Sequence, residues 1–236
     1  FPFGLLGSLA VLLMPEITQA HIEGQTARLN ALLDRMLRLT GYFSALAGTL
    51  FWVWGRPLAQ LLYHSPEAGF YLETLAPAMP LMYLESMVDG AMKGIGEQKA
   101  AFRYSVWDAV LRIGGVAVLL PRYGMRGFLA VILLSSFYTC AANTGRLLLS
   151  SGTGHAFRRW LGAPLLAAAA AGAAGRGVRR ALAGFPAQEL WGQLAVLTVG
   201  GTVTAIVFLL AALPLGLWEE VRTLLRQAKT GKNRGK

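Results

Sequence analysis

The chain is 236 residues long, 55% hydrophobic and only 14% charged, with a formal net charge of +10. Its apolar residues gather in runs far longer than the roughly 9–11 residues of a barrel strand, and period-2 alternation is absent. A β-barrel is thereby excluded and an all-α polytopic membrane protein indicated, in which Lys and Arg serve membrane topology and not nucleic acid.

Residues 1–15, FPFGLLGSLAVLLMP, begin inside an apolar stretch without the basic n-region or A-x-A site of a signal peptide. They read as a truncated first span of a longer protein. Residues 17–38 are amphipathic, with Ile17, Leu29, Leu33 and Leu37 set against Arg28, Asp34, Arg35 and Arg38; an interfacial helix or an ordinary connecting helix fits equally. A second span, 39–54, closes on Phe51, Trp52 and Trp54, as at a membrane boundary, and Gly55-Arg56-Pro57 is expected to break the helix.

The third span, 69–92, carries Glu73, Glu85 and Asp89, and its Pro77 and Pro80 predict a kink or an unwound segment. A turn, Lys93-Gly94-Ile95-Gly96-Glu97-Gln98-Lys99, leads into the fourth span, 104–120. There Ser105, Asp108, Arg112 and Gly115 form one stripe. PRYGMRG turns into the fifth span, 127–145, where Ser136, Thr139, Cys140 and Asn143 form another. Two such stripes on consecutive antiparallel helices are expected to face each other or a shared cavity.

Residues 160–175 are rich in Ala and Gly and read as a short span or an interfacial helix. The last span, 190–217, is followed by a basic tail, 219–236, expected to lie on anionic lipid. With seven spans, the first, third and fifth connections and the tail hold most of the Lys and Arg. This puts the C-terminus and the turn at Lys93 in the cytoplasm and the loop at Arg122 outside the cell membrane.

Catalytic signatures are absent: the histidines are scattered, and no H-E-x-x-H, Gly-x-Ser-x-Gly or phosphate-binding Gly-rich loop occurs. The chain is therefore read as no enzyme, with no cofactor beyond a coupling ion. The lone Cys140 forms no intrachain disulfide. What remains is charge at membrane depth, where each carboxylate costs roughly 2.5–3.5 kcal/mol unless turned from lipid. Asp108 and Arg112 can pair within one helix. Glu85 and Asp89 share a face, and their candidate partners are Arg112, a monovalent cation, a proton or a basic group outside this sequence; Asp89 has the further alternative of capping the helix end near Lys93.

In three stretches, FPFGLLGSLAVLLMPEITQA, LAPAMPLMYLESMVDGAMKGIGEQ and FRYSVWDAVLRIGGVAVLLPRYGMRGF, the chain resembles the stage V sporulation protein B family. These are polysaccharide-transporter-type members of the superfamily that includes the lipid II flippases and the multidrug and toxin extrusion exporters. The resemblance implies about seven transmembrane helices forming the C-terminal lobe of a two-lobed flippase. It implies transport of a lipid-linked saccharide or peptidoglycan precursor by alternating access, coupled to Na+ or H+, in spore cortex or cell-wall assembly. It implies partners in membrane lipid and in an N-terminal lobe, and a monovalent-cation site near Asp108. Cation-coupled drug export and a non-transporting scaffold are the alternative functions.

Overall fold

A computed structural model describes residues 13–151, 158–182, 184 and 190–217. Among these residues the chain is built of helices joined by short turns, with no strand. Helical residues 13–22 (α1) are joined by a turn at Gly24, whose φ is +67°, to α2, Thr26–Tyr63. Then come α3, Pro66–Leu75, a 3-10 turn at Ala76–Ala78, and α4, Met79–Gly94. The remaining helices are α5, Gln98–Tyr123, α6, Met125–Ser151, α7, Ala163–Leu182, and α8, Leu190–Ala212. A wide turn, Arg158–Gly162, leads into α7, and another, Leu213–Leu217, ends α8.

From α2 onward the helices run alternately up and down, with α3 and α4 together forming one descending pass. At the upper end the α3 start (Pro66, Phe70) lies beside the α5–α6 corner (Tyr123, Met125), and Arg179 of α7 reaches Glu73 of α3. At the lower end Gly94 packs on Ile17 of α1, and Trp160 donates its indole N–H to Asp34 of α2 at 2.7 Å. Two apolar clusters hold the bundle. One joins Ile17, Leu33 and Leu37 to Leu84, Val88, Met92, Leu147 and Trp160. The other packs Tyr42 and Ala45 on Ala167, Ala171, Phe208 and Ala212.

Small residues set the tightest approaches. A Cβ on Gly41 would stand 2.0 Å from the Trp160 carbonyl oxygen, and one on Gly200 would stand 2.1 Å from the Trp54 ring. Gly172 and Gly175 likewise admit Trp52 and Thr204 against α7. The Ala-Gly run is thus a seam between α2 and α8.

Four helices are long and apolar enough to cross a membrane: Gln98–Tyr123, Met125–Ser150, Trp160–Leu182 and Trp191–Leu217. They cover the expected spans 104–120, 127–145, 160–175 and 190–217. The other three differ from expectation. Residues 1–12 of the first lie outside the described residues, as does the tail at 219–236. The 39–54 segment falls inside a 38-residue α2, about 57 Å long, where Gly, Ser, Thr, Tyr and Trp dilute its apolar character. The 69–92 segment is divided by Pro77 and Pro80, with the 3-10 turn at the first and α4 beginning beside the second. Residues 26–38 are the lower third of α2, not an independent interfacial helix.

The expected break at Gly55-Arg56-Pro57 is also replaced by continuous helix. Gly55 lets α3 approach, a Cβ there being 3.3 Å from that of Leu72. Pro57 has no N–H for the carbonyl of Val53, four residues back. Arg179 supplies the donor instead, its Nη1 lying 2.7 Å from Val53 O. A cation from α7 thus repairs the ladder that proline opens. α2 ends at His64 in the left-handed region, φ 51°, with Ser65 accepting from Ala68 N–H to cap α3.

Candidate functional site

The i, i+4 spacing of Asp108 and Arg112 puts both on one face of α5, and they form an ion pair of 3.1 Å. Ser135 of α6 completes a triad: its hydroxyl donates to Asp108 Oδ1 and accepts from Arg112 Nε at 3.2 Å and Nη2 at 2.8 Å. One turn up, a Cβ on Gly115 would meet Val131 at 3.0 Å. The polar stripe of α5 therefore faces α6. Asp108 is the enclosed member, at 15% side-chain exposure against 47% for Arg112.

α4 follows the same logic from the other side of α6. Although the turn joining α4 to α5 is short, α4 packs on α2 and α6 and hardly on α5, and α6 lies between α4 and α5. Its run of Ser135, Ser136, Thr139 and Cys140, all buried, makes it thin enough for that position. Glu85 faces α6 near Thr139, whose hydroxyl donates to Ser135 O at 2.9 Å, with Asp108, Arg112 and Asp89 in electrostatic range. Asp89 instead pairs with Lys93, 2.6 Å away in the same helix. α4 continues to Gly94, beyond the expected boundary at 92, and so brings Lys93 onto the Asp89 face.

The turn residues have distinct tasks. Glu97 N–H bonds Met92 O at 2.9 Å, and Gly96 takes φ +80°, the conformation that a non-glycine residue would strain. Gln98 begins α5. The Glu97 carboxylate receives Arg146 of α6 through contacts of 2.9, 3.0 and 3.3 Å, and Ser150 at 3.1 Å. These donors hold the Glu97 carboxyl below the usual carboxylate range, the Arg146 bonds contributing most.

Sequence reasoning missed Ser135, Arg146 and Ser150. Ser135 is adjacent to the stripe read from period alone, and Arg146 reads as a connection residue; an acidic turn beside a basic helix end was the available signal. Asn143, which was on that stripe, is buried with Oδ1 unpartnered among the described residues. Among those residues, no group of three or more His, Cys, Asp or Glu is placed to hold a metal ion. A monovalent ion near Asp108 would therefore draw on hydroxyl and carbonyl oxygens as well as carboxylate.

No family model matches the chain. The chain is similar to sporulation protein YkvU of Bacillus subtilis (strain 168), at 28% identity over 151 residues, 64% of this chain. That match spans 32% of the relative, so the chain corresponds to about a third of its length. The four apolar helices and this similarity describe a membrane protein with a distant sporulation relative.

Proposed function

We propose that the chain is the C-terminal lobe of a flippase that moves a lipid-linked saccharide or peptidoglycan precursor across the cell membrane during sporulation. The observation that carries this reading is the set Asp108, Arg112 and Ser135 joining the two apolar helices α5 and α6, with Glu85 of α4 in electrostatic range. With Asp89 neutralised by Lys93, two carboxylates face one guanidinium, leaving one net negative charge. A proton or monovalent cation bound there would neutralise it and favour one arrangement of α5 against α6 over the other. Near half of the Arg112 side chain stays open. The distant similarity to a sporulation protein supports the cellular setting. The seven-span topology and cytoplasmic C-terminus belong to the same proposal.

The test is translocation of a labelled undecaprenyl-linked saccharide by the full-length protein in proteoliposomes. Glu85→Gln, Asp108→Asn and Arg112→Gln should each reduce transport at least tenfold, and the first two should remove its dependence on an ion gradient. Unchanged transport when all three are neutralised would overturn the proposal in favour of a scaffold. Preference for organic cations over the lipid-linked pyrophosphate would favour a drug exporter.

A further inference from the structure

We infer a binding site for the phosphate headgroup of an anionic membrane phospholipid in the upper cavity between the α2–α3 corner and the α7–α8 pair. The cavity has a volume of about 540 Å³ and includes Arg56, Arg179, Phe70, Leu182, Gln193 and Val196 in its wall. Its charge is unbalanced. Arg56 Nε lies 2.8 Å from Glu73 Oε2 and Arg179 Nη1 lies 3.3 Å from Glu73 Oε1, so two guanidinium ions share one carboxylate. Glu73 is 19% exposed, whereas Arg56 is 60% exposed and Arg179 40%. The carboxylate sits behind and the cations in front.

The donors are also oriented by other work. Arg179 is fixed by the Val53 carbonyl that Pro57 leaves open. Arg56 makes its contact through Nε, so among the described residues its two terminal nitrogens are uncommitted. A phosphate takes such paired N–H groups with one net positive charge left to meet it.

Depth selects a lipid over a soluble phosphate. Arg179 is three residues from the end of the Trp160–Leu182 span, and Gln193 two residues after Trp191, where the last span begins. Two independent span ends thus put the cavity at headgroup level. Trp191, 76% exposed, stands there as an interfacial aromatic would. Below it, α8 exposes Val199, Ile206 and Leu210, a surface along which an acyl chain can lie.

Native mass spectrometry of the full-length protein with phosphatidylglycerol, phosphatidylcholine and soluble glycerol phosphate tests the site. Phosphatidylglycerol should be retained about tenfold more than phosphatidylcholine, the order expected for an added charge-assisted contact. Arg56→Gln should erase that preference, and Val196→Trp, which fills the cavity with both arginines intact, should reduce retention. Arg103→Gln, on α5 away from the cavity, should change nothing. Undiminished preference in Arg56→Gln would overturn the site, and saturation by glycerol phosphate at equal affinity would overturn the lipid assignment. The readout is lipid retention, so it is independent of whether the protein transports.

Discussion

Arg112 and Arg179 show how one residue type serves two kinds of deficit. Arg112 answers the half-buried Asp108, so removing it strands a carboxylate that Ser135 alone must satisfy. Arg112→Leu should lose about 1–2 kcal/mol, less than a fully buried pair because Arg112 is half open. Asp108→Asn with Arg112→Leu should lose less than Arg112→Leu alone. Equal losses in thermal unfolding in detergent would refute the coupling. Arg179 answers a missing N–H. Arg179→Gln should cost about 1–2 kcal/mol when Pro57 is present and markedly less in a Pro57→Ala background, where the backbone N–H restored by the substitution can bond Val53 O again. Additive losses would show that the Val53 contact contributes nothing.

Glu97 adds a dependence on pH. Its carboxyl is depressed in the folded state, so its contribution is complete above the unfolded value of about 4.3 and is lost as pH falls through the lower folded value. Wild type should therefore lose stability faster than Glu97→Gln on acidification below about pH 4.3. Parallel melting curves for the two across that range would exclude the contribution.

Among elements, α7 is legible in composition but not in partner. Its Ala and Gly residues announce close packing; the neighbours, α2 and α8, are fixed by Trp160 on Gly41 and by Trp52 and Thr204 on Gly172 and Gly175. Gly41→Ala sets a Cβ against backbone, which cannot yield as a side-chain tip can, and should cost about 2–3 kcal/mol. Gly177→Ala in α7 meets nothing within 4 Å and should gain about 0.5–1 kcal/mol. If the two changes shifted the melting temperature alike, the seam would be misplaced. The polar stripe of α5 was readable from its helical period, but it meets α6 at Ser135, beside the expected α6 stripe and not on it. The insertion of α6 between α4 and α5 was not readable, because a short turn fixes chain direction and not which helix fills the groove.

For the whole molecule, the alternating helices put the corner at Lys93 at the lower end of the bundle and the corner at Arg122 at the upper end. With Cys140 replaced, a cysteine at Lys93 should be shielded from an impermeant thiol reagent in intact cells and one at Arg122 labelled. The reverse pattern would invert the proposed orientation. The same up-and-down order puts Arg56 and Arg179 at the end where Arg122 lies, together with the phosphate cavity.

Sequence by itself determined that the chain is helical and membranous, where the four most apolar spans lie, and that Asp108 and Arg112 share a face. These follow from hydropathy and the 3.6-residue period, which are local. Tertiary structure alone decided that α2 continues through Pro57, that Ser135 joins Asp108 to Arg112, and that Glu73 is shared by Arg56 and Arg179. A proline's open carbonyl or a buried carboxylate states in the sequence only that a donor is needed. Which donor arrives is set by the packing of helices distant along the chain, because Arg179 meets Val53 only after α7 has docked on α2.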